Sequence, residues 1–400
     1  MFQTKKTCSI FAAFLFCSLV LAACGDSGSE GPAPDAPAND SAPADSASED
    51  SSSLSITMWG KGAPSSSLYL SYPADSFLAK FEIGDIVTVA IVDHDTLEMP
   101  VVESVSNVPI AGFLVSAVEG ADHVNLAIHY GQFTDVLGIT DTSETVEVVV
   151  TLKEKGGFLF GLEMLYIQYM DGYKESYPDL TIDEFANFRE VRTTGMGENK
   201  LYRSSSPIDN CLGRNFYADS LAEEAGVATF INLADTEEYA NSYNGFETSY
   251  YSKQNVIFLG LPVEFYSTPF KEGLAKGFRY MTEHDAPYLV HCTYGMDRTG
   301  FTISVLEALM GATPEEIGAD YAKTFSNYFN VIGGKQVALN EQQVDYFKSV
   351  VIKNLKSVYH AEGIDISDIE TANLALATEE YLEKLGLSKS EVADLKNRLK

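Results

Sequence analysis

The chain has 400 residues, of which 27 are basic and 57 acidic, and its formal net charge is −30. A chain this acidic offers no basic footprint for DNA or RNA phosphates, so nucleic acid is excluded as a partner. An anionic substrate would have to be attracted by local positive potential, because the overall field repels it.

The chain begins with the pattern of a secretory signal peptide, predicted over residues 1–23. Lys5 and Lys6 precede an apolar run that is too short to be a membrane span and ends in Leu-Ala-Ala-Cys at position 24. This ending resembles the lipobox of bacterial lipoproteins, which implies that Cys24 becomes the lipidated N-terminus. The alternative is ordinary secretion after a small-residue cleavage site.

Residues 24–53 consist almost entirely of Ala, Pro, Ser, Asp, Gly and Glu. Such a composition cannot bury a core, so this stretch is predicted to be a disordered linker behind the lipid anchor. The expected location is the cell membrane, on its extracytoplasmic side, with Cys24 as the membrane attachment. No other stretch is long and apolar enough to span a bilayer, and no disulfide framework is expected.

Residues 54–155 are predicted to form a β-rich accessory domain, a small all-β sandwich or barrel. Short β-branched runs alternate with turn residues, as in folds of this class. Trp59 and Tyr130 could line a binding surface, but the prediction is that they lie in the core of this domain. The clearest runs are 85–92, 112–118, 123–130 and 145–152.

No metal site is predicted in this domain, although it holds three histidines. His123 and His129 lie six residues apart on one strand, too far apart to share an ion, and no acidic or cysteine cluster joins them or His94.

Residues 156–400 are predicted to form an α/β domain in which helices flank a central sheet. Strands are predicted at 227–233, 256–261 and 287–290, and helices at 158–170, 216–225, 314–325, 340–357, 371–385 and 389–399.

The stretch from His291 to Gly300 carries the chemistry. It joins a short apolar strand to an apolar helix, so the N–H groups of the loop and of the first helical turn converge where the helix dipole favours an anion. The same donors stabilise the thiolate of Cys292. Arg298 can fold back and bind phosphoryl oxygens with its planar fork.

This stretch reads His-Cys-Thr-Tyr-Gly-Met-Asp-Arg-Thr-Gly and resembles the active-site loop of cysteine-dependent protein tyrosine and dual-specificity phosphatases. The resemblance implies a phosphate-binding loop made of His291, Cys292, Thr293, Tyr294, Gly295, Met296, Asp297 and Arg298. Two further segments, 187–191 and 201–205, extend the resemblance over roughly 185–400 to bacterial tyrosine phosphatases that also act on phosphoinositides.

The chain departs from that family at three places. The family's Asp-Leu-Arg-Ser is Asn-Leu-Ala-Asp at 232–235, Tyr294 replaces an alanine, and Met296 replaces a lysine. Without that lysine, a cation that would favour multiply phosphorylated substrates is missing, which argues against phosphoinositide activity.

Three carboxyl groups compete as the proton donor to the leaving oxygen. The resemblance implies that Asp297 is the proton donor. Its alternative role is to hold the shape of the loop by accepting hydrogen bonds from backbone N–H groups. Glu264 follows a strand and could approach from a neighbouring loop. Asp235 is predicted to cap a helix, because Glu238 follows three residues later.

Thr299 is predicted to hydrogen-bond the thiolate as it departs, or else simply to cap the helix. His291 is predicted to orient the cysteine rather than to act as a base, since a thiolate needs none.

The sequence therefore predicts a phosphatase that acts through a cysteinyl-phosphate intermediate without metal or cofactor. Phosphotyrosine on proteins is the first substrate class, and small esters such as inositol phosphates, phytate or phosphoinositides are the second. The third possibility is an inactive phosphate-binding surface protein in which the β-rich domain carries the function.

Overall fold

The computed structural model describes residues 55–62, 67–139, 145–365 and 374–400. The predicted signal peptide (1–23), the lipidation site Cys24 and the linker (24–53) lie outside the described residues. Residues 55–400 form one compact unit. Within the described ranges, none of the helices combines the length and apolar character needed to cross a bilayer.

The first part of this unit is a closed seven-stranded barrel, which confirms one of the two predicted all-β architectures. Around the barrel the strands follow the order β1-β2-β6-β5-β4-β3-β7, and β7 pairs back with β1. The strands are β1 (Ser55–Gly62), β2 (Leu68–Leu70), β3 (Ile86–Ile91), β4 (Thr96–Val102), β5 (Phe113–Ser116), β6 (Val124–Ile128) and β7 (Val146–Glu154), with the short helices α1 (Ala74–Leu78) and α2 (Phe133–Val136).

The prediction that Trp59 and Tyr130 lie in the core is wrong, since their side chains are 52% and 44% exposed. On β1, Ile56 and Met58 point into the barrel, so the alternation of the strand turns Trp59 outward. Tyr130 follows β6 in a left-handed conformation (φ 55°), which takes it out of the strand pattern.

The predicted helix at 158–170 is also wrong, because only α3 (Leu159–Glu163) is α-helical there. It continues as a 3-10 turn over Met164–Ile167. Gly161 lies within α3, and glycine costs a helix about 1 kcal/mol relative to alanine.

A five-stranded sheet follows, with the order β11-β10-β12-β9-β8. The four strands β11, β10, β12 and β9 are mutually parallel, whereas β8 is antiparallel to β9. The parallel strands therefore all end at the same edge of the sheet. They are β8 (Arg189–Glu190), β9 (Leu201–Ser204), β10 (Thr229–Asn232), β11 (Asn255–Phe258) and β12 (Tyr288–His291), and a separate hairpin is formed by β13 (Val331–Ile332) and β14 (Lys335–Gln336).

Helices cover both faces of this sheet. Phe230 and Leu289 pack with α5 on one face, while Ile231 and Val290 join the main core with α7 and α8 on the other. The remaining helices are α4 (Ile182–Phe185), α5 (Asn215–Glu224), α6 (Glu237–Ala240), α7 (Thr268–Glu283), α8 (Asp297–Met310), α9 (Pro314–Tyr328), α10 (Glu341–Ala361), α11 (Leu374–Lys384) and α12 (Lys389–Leu399).

The sequence pattern does not predict α7, because Gly273 and Gly277 lower its helix propensity. Packing explains both glycines. A Cβ at Gly273 would overlap the side chain of Leu261, and one at Gly277 would lie 3.0 Å from Leu259.

The barrel contacts the loop between β11 and α7. The Tyr266 hydroxyl donates to the carbonyl oxygen of Ala111 (3.0 Å), and the Tyr266 ring packs edge-on against Phe113 with the centroids 6.0 Å apart. The barrel core and the core beside the sheet therefore form one continuous cluster.

We expect Tyr266→Phe to lower the free energy of unfolding by about 1–2 kcal/mol, because the buried Ala111 carbonyl loses its donor. Urea unfolding measures this change. The exposed Tyr166, which is 86% accessible, provides the matched control Tyr166→Phe. Equal effects of the two substitutions would contradict a structural role for the Tyr266 hydroxyl.

Candidate active site

The chemically interesting residues gather at the edge where the parallel strands end. β12 leads directly into Cys292, and β10 and β9 flank β12 on either side. Asp235 follows β10, and Glu264 follows β11. The sheet thus brings together residues that lie far apart in the sequence.

The carbonyl groups of the loop after β12 accept hydrogen bonds from residues outside it. These bonds fix the loop backbone to the segments around it. The pairs are Leu233 N to His291 O (2.9 Å), Ser206 N to Thr293 O (3.1 Å), Tyr328 Oη to Tyr294 O (2.8 Å), and Arg203 Nη2 to Gly295 O (2.9 Å), with Asn187 Nδ2 also reaching Tyr294 O and Gly295 O.

With the carbonyls turned outward, the amides are left for a ligand. In the described part of the chain, the N–H groups of Thr293, Gly295 and Met296 have no acceptor. They precede the N-terminus of α8, whose first turn adds further unpaired donors. An anion is the natural partner of such an array.

Two glycines allow this close packing. Gly295 has φ +66°, and a Cβ there would overlap the carbonyl oxygen of Ser204. A Cβ at Gly300 would lie 2.5 Å from the ring of Tyr321, which packs directly on the start of α8.

Cys292 lies at the base of the loop with only 2% of its surface exposed. Thr299 is fully buried, and its hydroxyl has no hydrogen-bond partner among the described residues. That hydroxyl therefore remains available to a thiolate or a bound oxyanion.

Arg298 is half-buried and is held from the neighbouring loop. Its Nη1 donates to the carbonyl oxygen of Leu261 (2.9 Å), while its buried Nε has no partner within the described ranges. One side of the guanidinium is thus fixed, and donors remain for a ligand.

His291 is buried, and burial together with repulsion from Arg298 lowers its pKa to about 3. The ring is therefore neutral. Tyr251 Oη donates to its Nε2 (3.0 Å), and its Nδ1 reaches the Cys292 carbonyl oxygen (3.4 Å). Asn232 Nδ2 in turn donates to Tyr251 Oη (3.1 Å). Sequence reasoning did not find Tyr251, because no local motif marks it.

A buried ion-pair network supports the loop from the α9 side. Arg203, which binds the Gly295 carbonyl, also pairs with Asp320, as does Arg189. Burial opposes ionisation of Asp320, yet the two guanidinium groups hold its pKa down at about 2. The carboxylate is therefore charged and fixes both arginines.

The three predicted proton donors lie in different surroundings. Burial raises the pKa of Asp297, in the first turn of α8, to about 6. Glu264 is half-buried in the loop after β11. Asp235 does not cap a helix as predicted, because Thr236 caps α6 with its own hydroxyl. Its carboxyl is instead buried, and burial raises its pKa.

The histidines of the barrel have separate surroundings. His94 Nδ1 and His129 Nδ1 meet the carbonyl oxygens of Leu137 (3.0 Å) and Val108 (2.7 Å). In the chain from 55 onward, as far as it is described, no group of three or more His, Cys, Asp or Glu side chains could hold a metal ion.

Residues 180–400 match the model of the tyrosine phosphatase family. The chain belongs to this family, which confirms the resemblance seen in the sequence.

No curated protein matches the chain. Among solved structures, an uncharacterized conserved protein from Thermotoga maritima is 19% identical, and the match covers 23% of this chain and 35% of that chain with a TM-score of 0.20.

We expect Gly295→Ala to distort the loop and to reduce turnover of an aryl phosphate by about a hundredfold, because the added Cβ displaces the amides from the bound phosphate. Gly226 has nearly the same φ (+64°) but open space around it. Gly226→Ala should therefore cost only about 1 kcal/mol of stability and leave turnover unchanged. Similar rate losses in both variants would argue against the close approach to Ser204.

Proposed function

We propose that this chain is a cysteine-dependent phosphatase that hydrolyses phosphate monoesters through a cysteinyl-phosphate intermediate. The observation that carries this proposal is the loop around Cys292, whose carbonyls bind residues outside it while the N–H groups of Thr293, Gly295 and Met296 have no acceptor among the described residues. Membership of the tyrosine phosphatase family supports the same reaction class.

In the first step, the Cys292 sulfur attacks phosphorus. The S–P bond forms as the bond between phosphorus and the leaving oxygen breaks, and the leaving oxygen takes a proton from a carboxyl group. In the second step, water attacks phosphorus, the S–P bond breaks, and the thiolate and inorganic phosphate are released.

Arg298 and the loop amides stabilise the charge on the transferring phosphoryl group, because they are fixed before the reaction begins. The Leu261 carbonyl holds one end of the guanidinium, which leaves the other donors for phosphoryl oxygens. Thr299 donates to the Cys292 sulfur when it departs as a thiolate, since its buried hydroxyl has no other partner among the described residues.

Phosphotyrosine on proteins is the substrate class we favour. Cys292 is nearly fully buried, so a substrate must carry its phosphate on a long, narrow group to reach the sulfur. Inositol phosphates bring several phosphates at once and need additional cations. Met296 supplies none, and Glu264 adds a further acidic side chain at this edge of the sheet.

We also propose that the mature chain is anchored at the outer face of a membrane through lipidated Cys24. The lipobox-like Leu-Ala-Ala-Cys and the polar stretch after it support this location.

We expect Cys292→Ser to reduce turnover of a phosphotyrosyl peptide by at least about 10⁴-fold. Arg298→Lys should reduce this turnover by about 10²–10³-fold, because lysine lacks the planar guanidinium group that binds two phosphoryl oxygens at once. Cys211→Ser is the matched control and should keep full activity. The assay contains no added metal and is repeated with inositol hexakisphosphate, which we expect to be a poor substrate. Activity that survives Cys292→Ser would end the cysteine mechanism, and faster hydrolysis of the inositol ester would overturn the substrate class.

We expect the full chain, expressed in a bacterium, to partition into the detergent phase and Cys24→Ser to move to the aqueous phase. Metabolic labelling with a fatty acid provides a second readout. A wild-type chain found in the aqueous phase without label would indicate ordinary secretion instead.

A further inference from the structure

Two aspartates from opposite sides of β12 meet at one tyrosine. Asp209 lies beyond β9, and Asp235 lies beyond β10, so their strands flank the strand that leads to Cys292. The Tyr243 hydroxyl lies 2.9 Å from Asp209 Oδ2 and 3.1 Å from Asp235 Oδ1. These three side chains, the Asp209–Tyr243–Asp235 trio, connect the loops on both sides of the cysteine.

The trio requires one proton more than the phenol can supply. A tyrosine hydroxyl has a single hydrogen and can donate it to one carboxylate only. The other oxygens of the two aspartates are engaged elsewhere, Asp209 Oδ1 with Cys211 N (2.9 Å) and Asp235 Oδ2 with Asn232 Nδ2 (3.2 Å). Both short contacts to Tyr243 are satisfied when one carboxyl group carries a proton and donates it to the phenol oxygen.

Of the two aspartates, Asp235 has the surroundings that favour this proton. Only 6% of its surface is exposed, whereas Asp209 is half-exposed, and burial penalises the charged form. The charge of Asp209 acts in the same direction. The Asn232 amide, the Tyr243 hydroxyl and Arg298 favour ionisation, but burial outweighs them and the pKa of Asp235 is raised.

The other groups near Asp235 do not compete for the proton. Tyr251, which shares Asn232 Nδ2 with it, has a pKa raised well above its usual value by burial. His291, beyond Tyr251, is neutral. Burial and the charge of Asp209 therefore both favour a proton on Asp235.

We propose that Asp235 carries the shared proton and is the general acid of the reaction, that Asp209 is a positioning residue whose charge helps to keep the Asp235 carboxyl protonated, and that Tyr243 is a positioning residue that holds the two carboxyl groups together. The proposal rests on the phosphatase function proposed above. It favours Asp235, for which the sequence pattern predicts a helix cap rather than chemistry, over the two other candidate donors, and it assigns a role to Asp209 and Tyr243, which no motif marks.

The step balances as follows. The bond between phosphorus and the leaving oxygen breaks, and that oxygen takes the Asp235 proton, which leaves a carboxylate. Two carboxylates then share the single Tyr243 hydrogen, and their repulsion makes Asp235 a good base. In the second step it removes a proton from the attacking water as the S–P bond breaks, which restores the starting state.

In the described structure, the two other candidate proton donors, Asp297 and Glu264, are not paired with a second carboxyl group through a tyrosine. Burial raises the pKa of Asp297 to about 6, but this side chain lies in the first turn of α8, where the helix dipole favours a carboxylate, and no second carboxyl group shares a proton with it in the described structure. The Glu264 carboxyl has no hydrogen-bond partner among the described residues.

The test compares Asp235→Asn with Asp297→Asn and Glu264→Gln, using aryl phosphates whose leaving phenols differ in pKa. We expect Asp235→Asn to lose about a hundredfold or more in kcat on the poorest leaving group and less than about threefold on the best one. The other two variants should show no such dependence. If Asp297→Asn or Glu264→Gln shows it instead, or if Asp235→Asn loses equally on all esters, the assignment is overturned.

Asp209→Asn tests the positioning role, since asparagine keeps the size and the bond to Cys211 N. Loss of the neighbouring charge lowers the pKa of Asp235, so the descending limb of the pH profile should move to lower pH by about one unit, with kcat at low pH unchanged. An unmoved limb would overturn the trio.

A third measurement separates this proposal from the cysteine mechanism. Infrared difference spectra at the pH of maximal turnover should show a protonated-carboxyl band that is lost in Asp235→Asn and kept in Asp297→Asn. Acid quenching with the best leaving group should still trap phosphorylated Cys292 in Asp235→Asn. Absence of the band in the wild-type chain would end the proposal even if the cysteine mechanism holds, and absence of the trapped intermediate in the wild-type chain would end the cysteine mechanism alone.

Discussion

The outward orientation of the carbonyl groups after β12 is the constraint on which the site depends. A tight loop brings its own acceptors and donors close together, and an anion can bind only if the acceptors face away from it. Here residues from several distant segments, among them Asn187, Arg203, Ser206 and Tyr328, bind those acceptors. The binding site therefore depends on hydrogen bonds that distant segments make to the loop carbonyls.

The loop between β11 and α7 links this site to the barrel. Its Leu261 carbonyl holds Arg298, and its Tyr266 bonds to Ala111 and packs on Phe113. Because the core is continuous across this contact, the barrel restrains the segment that fixes the arginine. The barrel therefore has a structural role in positioning Arg298.

The electrostatics of the site are local. The chain carries a net charge of −30, yet the groups that support the loop of Cys292 include Arg203 and Arg189, both paired with Asp320, Arg298 itself and a neutral His291. Acidic groups lie nearby, with Asp209 and Asp235 in the segments that follow β9 and β10. The proton proposed for Asp235 would reduce the negative charge that meets the incoming phosphate.

Elements whose evidence lies in contiguous residues could be predicted from the sequence alone. The loop from His291 to Gly300 could be predicted because its donors, nucleophile and arginine lie within ten residues of each other, and the barrel strands could be predicted from their alternation. The sequence did not determine the exposure of Trp59, the helix α7, or the surroundings of Asp235, which depend on neighbours supplied by packing. The side chains that bind the loop carbonyls, and the two aspartates that share a tyrosine, could be identified only in the folded structure. Hydrogen bonds between distant segments leave no periodic signal in the sequence.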